Sequence, residues 1–90
     1  MYYGYMSFPD NTEVTYSDMD RFGVVGVWIE TPVPSGFKSA HCYLPSLEWD
    51  SVDGFTDDEM NGLTDFVRRN ADLILDLSEE KMHQSSRSVV

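Results

Sequence analysis

The sequence predicts an α+β domain: an antiparallel meander of about four strands with one C-terminal amphipathic helix packed on one face, in the order ββββα. Two patterns predict it. Apolar residues mostly alternate up to about Leu44, with the period of two that strands require. From Thr56 onward, the apolar residues follow a single helical stripe. A length of 90 residues fits one domain and leaves no room for a second.

The predicted strands alternate in polarity and are separated by turn signals. They comprise residues 2–8, 13–17, 24–31 and 38–44. The third is the best defined because it is rich in β-branched side chains. A Pro-Asp-Asn-Thr turn at residues 9–12 separates the first two strands. Two prolines make residues 31–36 a loop, because proline cannot donate to a ladder. Residues 45–55 show little pattern, so we expect a connection there.

The start of the helix is specified by residues close in sequence. Thr56 is a good N-cap, and Glu59, three positions later, completes a capping box. Phe55 before the cap and Met60 in the first turns form a predicted hydrophobic staple.

The helix is expected to bury one apolar stripe and to end near Lys81. The stripe comprises Met60, Leu63, Phe66, Val67, Ala71, Leu73, Ile74 and Leu77. The segment that follows is polar and rich in serine, which favours disorder at a chain end. The chain therefore divides into a single domain of residues 1–82 and a disordered tail of residues 83–90.

Strand alternation assigns side chains to the two faces of the sheet. The face toward the helix is predicted to carry Val25, Val27, Ile29, Ala40, Cys42 and Leu44. A helix is ~10 Å wide and four strands span roughly 19 Å, so one helix covers one face only. The other face is predicted to carry the partner-binding candidates Tyr3, Tyr5, Trp28, His41 and Tyr43. Such a patch on a small monomer indicates partner binding, homodimerisation or coverage by another part of the chain.

The chain is strongly acidic, with 16 acids, 6 bases and a net charge of −10. This charge opposes binding to nucleic acids and anionic membranes and favours a basic protein surface. A predicted acidic rim comprises Glu48, Asp50, Asp53, Asp57 and Asp58. It does not match a calcium-binding EF-hand, because taking Gly54 as the required glycine places Trp49 at the first ligand position. A weak cation site stays open, but we predict no metal and no cofactor.

No catalytic constellation is evident in the sequence. His41 and Cys42 are adjacent, but neighbours in a strand point to opposite faces and cannot act as nucleophile and base. Ser35 and Lys38 match a Ser-x-x-Lys spacing, but they enter a strand rather than a helix. We therefore predict that the protein is not an enzyme. A single cysteine, no basic leader and no membrane-length apolar run favour the cytoplasm.

These observations favour a small, acidic, non-catalytic protein–protein interaction module that binds a partner or a second copy of itself. An acidic inhibitor that mimics nucleic acid is the alternative, and a small metal-dependent hydrolase is the least favoured. The short sheet followed by one helix resembles the HicB-type antitoxins, although their usual additional helix is not evident here. That resemblance implies an antitoxin-like regulator of a basic partner as a variant of the second hypothesis.

Overall fold

The structure is a computed structural model that describes residues 1–88, with side chains described up to His83. Within those residues it contains one five-stranded antiparallel sheet and one helix. The elements are β1 (Tyr2–Ser7), β2 (Glu13–Ser17), β3 (Val25–Val33), β4 (Gly36–Leu44), β5 (Glu48–Asp53) and α1 (Asp57–Ser88). The strands lie in chain order, so the predicted α+β meander with a C-terminal helix is confirmed, with one strand more than expected.

The additional strand is β5, in the segment predicted to be a connection. His41 in β4 pairs with Ser51, and Cys42 pairs with Trp49, so Asp50 is an extra residue in β5. This β-bulge breaks the period of two that marks a strand in a sequence. The prediction of a connection at residues 45–55 was therefore wrong for most of its length.

The hydrophobic core lies between α1 and one face of the sheet. The predicted inward residues of β3 and β4 are all 0% exposed: Val25, Val27, Ile29, Ala40, Cys42 and Leu44. Val67 and Ile74 of α1 are equally buried, and they belong to the same apolar cluster as most of these strand residues. The face prediction for β3 and β4 is thus confirmed.

The predicted capping box closes the first turn of α1. The backbone N–H of Thr56 donates to Glu59 Oε1 at 2.9 Å, and the N–H of Glu59 donates to Thr56 Oγ1 at 3.2 Å. The predicted stripe is wrong at Leu73, which is 52% exposed. Leu75 packs on the core instead, and Ser78 is fully buried. The stripe therefore lies slightly further around the helix than apolarity alone indicated.

The helix continues to Ser88, so its predicted end near Lys81 was too early. The predicted tail includes Val89 and Val90, which lie outside the described residues. The division into a domain of residues 1–82 and a disordered tail of residues 83–90 stays a prediction. None of the helical sequence that the structure describes is apolar enough over a sufficient length to cross a membrane.

Candidate functional site

The candidate site lies on the sheet face opposite α1, called here the outer face. One row of cross-strand neighbours on this face runs over four strands: Thr15, Trp28, His41 and Ser51. Trp28 and His41 alternate along their strands with core residues, as predicted. Residues 45–55 do not fold over this face, because most of them form β5 at the sheet edge. No strand or helix within residues 1–88 packs across it.

The structure places Tyr3 and Tyr5 on the helix side, so their predicted position on the outer face was wrong. Tyr3 pairs with the buried Tyr16, and their ring centroids are 5.6 Å apart. The Tyr5 hydroxyl donates to Asn70 Oδ1 of α1 at 2.6 Å. The face that each β1 residue occupies depends on its register with β2, which includes a bulge between Gly4 and Met6. Sequence spacing alone does not give that register.

Tyr2 takes their place on the outer face and completes a hydrogen-bonded chain through His41. The two ring nitrogens of His41 lie 2.7 Å from Asp50 Oδ1 and 2.9 Å from the Tyr2 hydroxyl, respectively. The residue as a whole is 8% exposed. A neutral imidazole satisfies both contacts if Nδ1–H donates to the Asp50 carboxylate and Nε2 accepts from Tyr2. The imidazole is thus fixed in orientation by partners on two other strands.

Two backbone features bring these side chains together. The bulge in β5 directs the Asp50 side chain toward His41, and bulges commonly redirect side chains in this way. Gly26 in β3 leaves room for the Tyr2 phenol to approach the ring. A Cβ atom at Gly26 would lie 2.7 Å from the Tyr2 hydroxyl oxygen and 3.0 Å from His41 Nε2. Any side chain at this position would therefore displace Tyr2 or His41.

His41 is also packed between aromatic rings on its own face. Its ring centroid is 5.6 Å from Trp28 and 4.9 Å from Tyr43, and the Tyr43 ring is nearly perpendicular to it. Edge-to-face contacts of this kind favour rigid packing. Tyr2, Trp28, His41 and Tyr43 are called here the aromatic cluster. Three of the five predicted partner-binding candidates thus lie in contact, and Tyr2 is the member that sequence reasoning missed.

The carboxylate of Asp50 and the phenol of Tyr43 shift each other's pKa. A hydrogen bond with His41 is the main cause that lowers the pKa of Asp50, and a hydrogen bond with Tyr43 contributes. The charge of Asp50 in turn raises the pKa of Tyr43. Burial raises the pKa of Tyr2, with smaller contributions from Tyr43 and Asp50. At neutral pH the carboxyl is therefore charged and both phenols keep their protons.

A shallow cavity of about 480 Å³ opens beside the aromatic cluster. Its lining consists of Tyr2, Thr15, Trp28, His41, Asp50 and Ser51. A second cavity, of similar volume, lies between the sheet and the start of α1. There the Lys38 ammonium is bound to Glu59 at 2.6 Å and lies 5.1 Å from the Phe55 ring. Lys38, Glu59 and Phe55 are thus engaged with one another at the start of α1, so the outer-face cavity is the better candidate site.

The predicted acidic rim is divided between two parts of the molecule. Glu48 and Asp53 occupy outer-face positions at the two ends of β5, whereas Asp57 and Asp58 lie in the first turn of α1. Asp50 belongs to the chain through His41. Within the described part of the chain, no group of three or more His, Cys, Asp or Glu side chains could hold a metal ion.

Two glutamates extend the acidic character of the outer face. Glu13 pairs with Glu30, which pairs with Ser39, and Ser39 pairs with Asp53. Glu13, Glu30 and Asp53 are called here the acidic row. Alternation in the second and third strands could have revealed both glutamates, since each shares a face with Thr15 or Trp28.

The basic side chains that the structure describes lie elsewhere. Lys38 contacts Glu59 at the start of α1. Arg68, Arg69 and Lys81 belong to α1, and Arg21 lies in the connection between β2 and β3. Of the lysines and arginines with described side chains, none occupies an outer-face strand position. The outer face therefore joins an aromatic centre to acidic side chains, and none of the described lysines and arginines compensates their charge.

The hydrogen bonds from Asp50 through His41 to Tyr2 have the connectivity of an acid–base relay. The surroundings of these residues nevertheless do not activate a nucleophile. Nε2 of His41 is already engaged by Tyr2, and the raised pKa of Tyr2 opposes formation of a phenolate. Cys42 lies in the core, and burial raises its pKa to about 12. A cleft that held Asp50, Asp53 and His41 together would favour a hydrolase, but Asp53 does not line the cavity. The absence of enzymatic activity stays a prediction.

Comparisons with protein-family models, with curated proteins and with solved structures gave no match. A functional proposal for this chain therefore depends on the geometry and charge of its outer face.

Proposed function

We propose that the protein is a small, non-catalytic interaction module that binds a basic surface of another protein through its outer face. The observation that carries this proposal is the combination of the aromatic cluster with the acidic row on one sheet face, which no strand or helix of residues 1–88 covers. Aromatic side chains supply large contact areas, and they are enriched where protein partners bind tightly. The acidic side chains favour a partner of opposite charge and accelerate its approach.

The same charges favour a different protein over a second copy of this chain as the partner. A face-to-face homodimer uses the same patch of both copies. It would bring two copies of the acidic row close to one another, and each chain carries a net charge of −10. Like charges brought together at an interface oppose association. Nucleic acids and anionic membranes are disfavoured as partners for the same electrostatic reason.

An acidic regulator that occupies the nucleic-acid site of a basic protein is the second candidate. The direct pairing of Glu13 with Glu30 favours this candidate. Like charges opposite one another destabilise a sheet, so such a pair is better explained by binding of a basic partner than by stability. Binding by such a mimic would be lost at ~1 M salt, where the Debye length is about 3 Å. Binding through the aromatic cluster would persist there.

We place this function in the cytoplasm. Binding of a basic protein surface requires no disulfide, and the only cysteine of the chain is buried in the core. A reducing compartment would therefore leave the outer face unchanged.

The proposal is tested by titrating the protein with a short arginine-rich peptide and following backbone amide shifts by NMR. We expect the shifts to concentrate on β2–β5 of the outer face. Trp28→Ala should weaken binding, and the pair Glu13→Gln and Glu30→Gln should weaken it at low salt.

The matched control is the pair Asp72→Asn and Asp76→Asn, which removes the same charge from exposed positions of α1. This control should bind nearly as well as the unaltered protein. An equal loss of peptide affinity in the two double variants, or amide shifts spread over the helix, would mean that the peptide responds to net charge alone. Either result would contradict the proposal.

A further inference from the structure

We propose that the cavity beside the aromatic cluster receives an arginine side chain, with the guanidinium placed between Trp28 and Asp50. The assignment of this arginine to a protein partner rests on the proposed function. The preference of the cavity for a guanidinium group rests on the cavity itself, because its chemistry is fixed by its lining.

The charged hydrogen-bonding group in the cavity lining, the Asp50 carboxylate, can only accept. When the proton of a neutral His41 is on Nδ1, this N–H donates to Asp50 and Nε2 accepts from the Tyr2 hydroxyl. The Thr15 hydroxyl donates to the Trp28 carbonyl oxygen at 3.3 Å. The donors of three lining residues are therefore used within the protein, whereas a carboxylate has acceptor sites for further partners. A ligand rich in donors complements this arrangement.

The charge of the lining selects a cation among such ligands. Asp50 lies at the cavity with 44% of its side chain exposed, and its lowered pKa keeps it ionised at neutral pH. Trp28 and Tyr2 line the same cavity, and aromatic rings attract positive charge through their π-systems. The lining contains no lysine or arginine that would compete for these groups.

Guanidinium fits this lining better than ammonium. It is planar, is weakly hydrated and stacks on aromatic faces, and its fork of donors matches a carboxylate. An ammonium group is compact and strongly hydrated, so it loses more when it leaves water.

The site is held in place before any ligand arrives. His41 is fixed by Asp50 and Tyr2, and Gly26 permits the approach of Tyr2. Little side-chain freedom then remains to be lost on binding, and such preorganisation favours affinity.

The test uses N-acetyl-arginine methylamide, and the corresponding citrulline derivative serves as a neutral control of nearly the same shape. The two tryptophans provide separate reporters. Trp28 lines the cavity, whereas the indole N–H of Trp49 donates to Thr64 Oγ1 at 2.9 Å on the helix side. We expect the arginine derivative to shift the indole N–H resonance of Trp28 and to leave that of Trp49 unchanged.

Asp50→Asn is the decisive variant because it removes the charge and keeps an oxygen that can accept from His41. It should weaken binding of the arginine derivative by about tenfold or more, as expected for the loss of a hydrogen bond to a charged group. Asp72→Asn is the control: it removes the same charge from an exposed position of α1, at a residue that does not line the cavity. Unchanged amide dispersion would verify the fold of both variants.

Equal binding of the citrulline derivative, or equal effects of Asp50→Asn and Asp72→Asn, would overturn the proposal. Tighter binding of tetramethylammonium than of the arginine derivative would also overturn it, because that result indicates a general site for organic cations. If the Trp28 resonance does not respond while the arginine-rich peptide still binds the outer face, this inference is wrong and the proposed function stands. If the Trp28 resonance responds to the arginine derivative but the peptide does not bind, the guanidinium site stands and the proposed function is wrong.

Discussion

His41 contacts all the other side chains of the aromatic cluster on the outer face, and Asp50 as well. It is 8% exposed, although no other element within residues 1–88 covers its face. Its burial comes from the side chains around it, which belong to four different strands. They are Tyr2, Trp28, Tyr43 and Asp50. A change that separates His41 from these partners leaves buried polar atoms unsatisfied and therefore destabilises the protein.

Gly26→Ala tests the close approach of Tyr2 to His41. The added methyl group would lie closer to both polar atoms than ordinary van der Waals contact allows, so we expect the free energy of unfolding to fall by about 1–3 kcal/mol. Urea denaturation measures this change. Gly62→Ala is the control: a Cβ there meets open space in the helix, and we expect a gain of up to ~1 kcal/mol. A neutral Gly26→Ala substitution would show that the Tyr2 contact does not constrain the face.

Cys42 should be chemically inert in the folded protein. It is 0% exposed, and burial raises the pKa of its thiol to about 12, so almost no thiolate forms at neutral pH. We expect no reaction with a thiol reagent at pH 8 until denaturant unfolds the chain. Rapid labelling under native conditions would show that the core opens on the timescale of the reaction.

At the scale of elements, β5 and the start of α1 depend on different kinds of contact. The start of α1 is fixed by a local capping box between Thr56 and Glu59. The preceding strand, β5, is an edge strand that depends on its pairing with β4 and contains a bulge. Its acidic side chains also protect an exposed edge against pairing with other chains.

Thr56→Ala should destabilise the protein by about 1 kcal/mol, because the N–H of Glu59 loses its side-chain acceptor. Thermal unfolding followed by circular dichroism measures the effect. Thr56→Ser keeps the hydroxyl and serves as the control, with a change close to zero. Equal destabilisation by both substitutions would contradict a capping role for Thr56.

Glu59 links the helix start to pH. Its hydrogen bond with Lys38 is the main cause that lowers its pKa below the ordinary value of 4.5. A carboxyl with a lowered folded-state pKa stabilises the protein above its ordinary value, and this contribution is lost as the pH falls through the lower value. The midpoint of urea unfolding should therefore fall as the pH decreases below about 4.5. Glu59→Gln should show a shallower decrease, and identical pH profiles would exclude this linkage.

The whole molecule separates its functions between the two faces of one sheet. The inner face and α1 bury the apolar core, whereas the outer face keeps an aromatic centre with acidic neighbours. The net charge of −10 opposes close approach of two copies. The oligomeric state is thus a direct test of the preference for a different partner.

We expect the protein to sediment as a monomer at micromolar concentrations and low salt. Repulsion between the acidic rows opposes the face-to-face dimer, although salt screens this repulsion. A dimer that Trp28→Ala disrupts at low salt would contradict a partner of opposite charge. It would favour self-association through the outer face instead.

Features of the fold that depend on near neighbours in sequence were predictable. The capping box involves residues three positions apart, and the opposite faces of His41 and Cys42 follow from strand geometry. The α+β class follows from the change of apolar period near Thr56. These signals are local because the period of a strand or helix constrains each side chain relative to the next.

The candidate site depends on contacts between distant residues, which local signals do not encode. Tyr2 and His41 are 39 positions apart, and they meet only because β1 pairs with β2 in one particular register. That same register sends Tyr3 and Tyr5 to the helix side. A bulge in β5 directs the Asp50 side chain toward His41, and the same bulge interrupts the period of two that would identify β5 in the sequence. A shift of one residue in a strand reverses the faces of its side chains, so strand pairing, rather than composition, assembles this site.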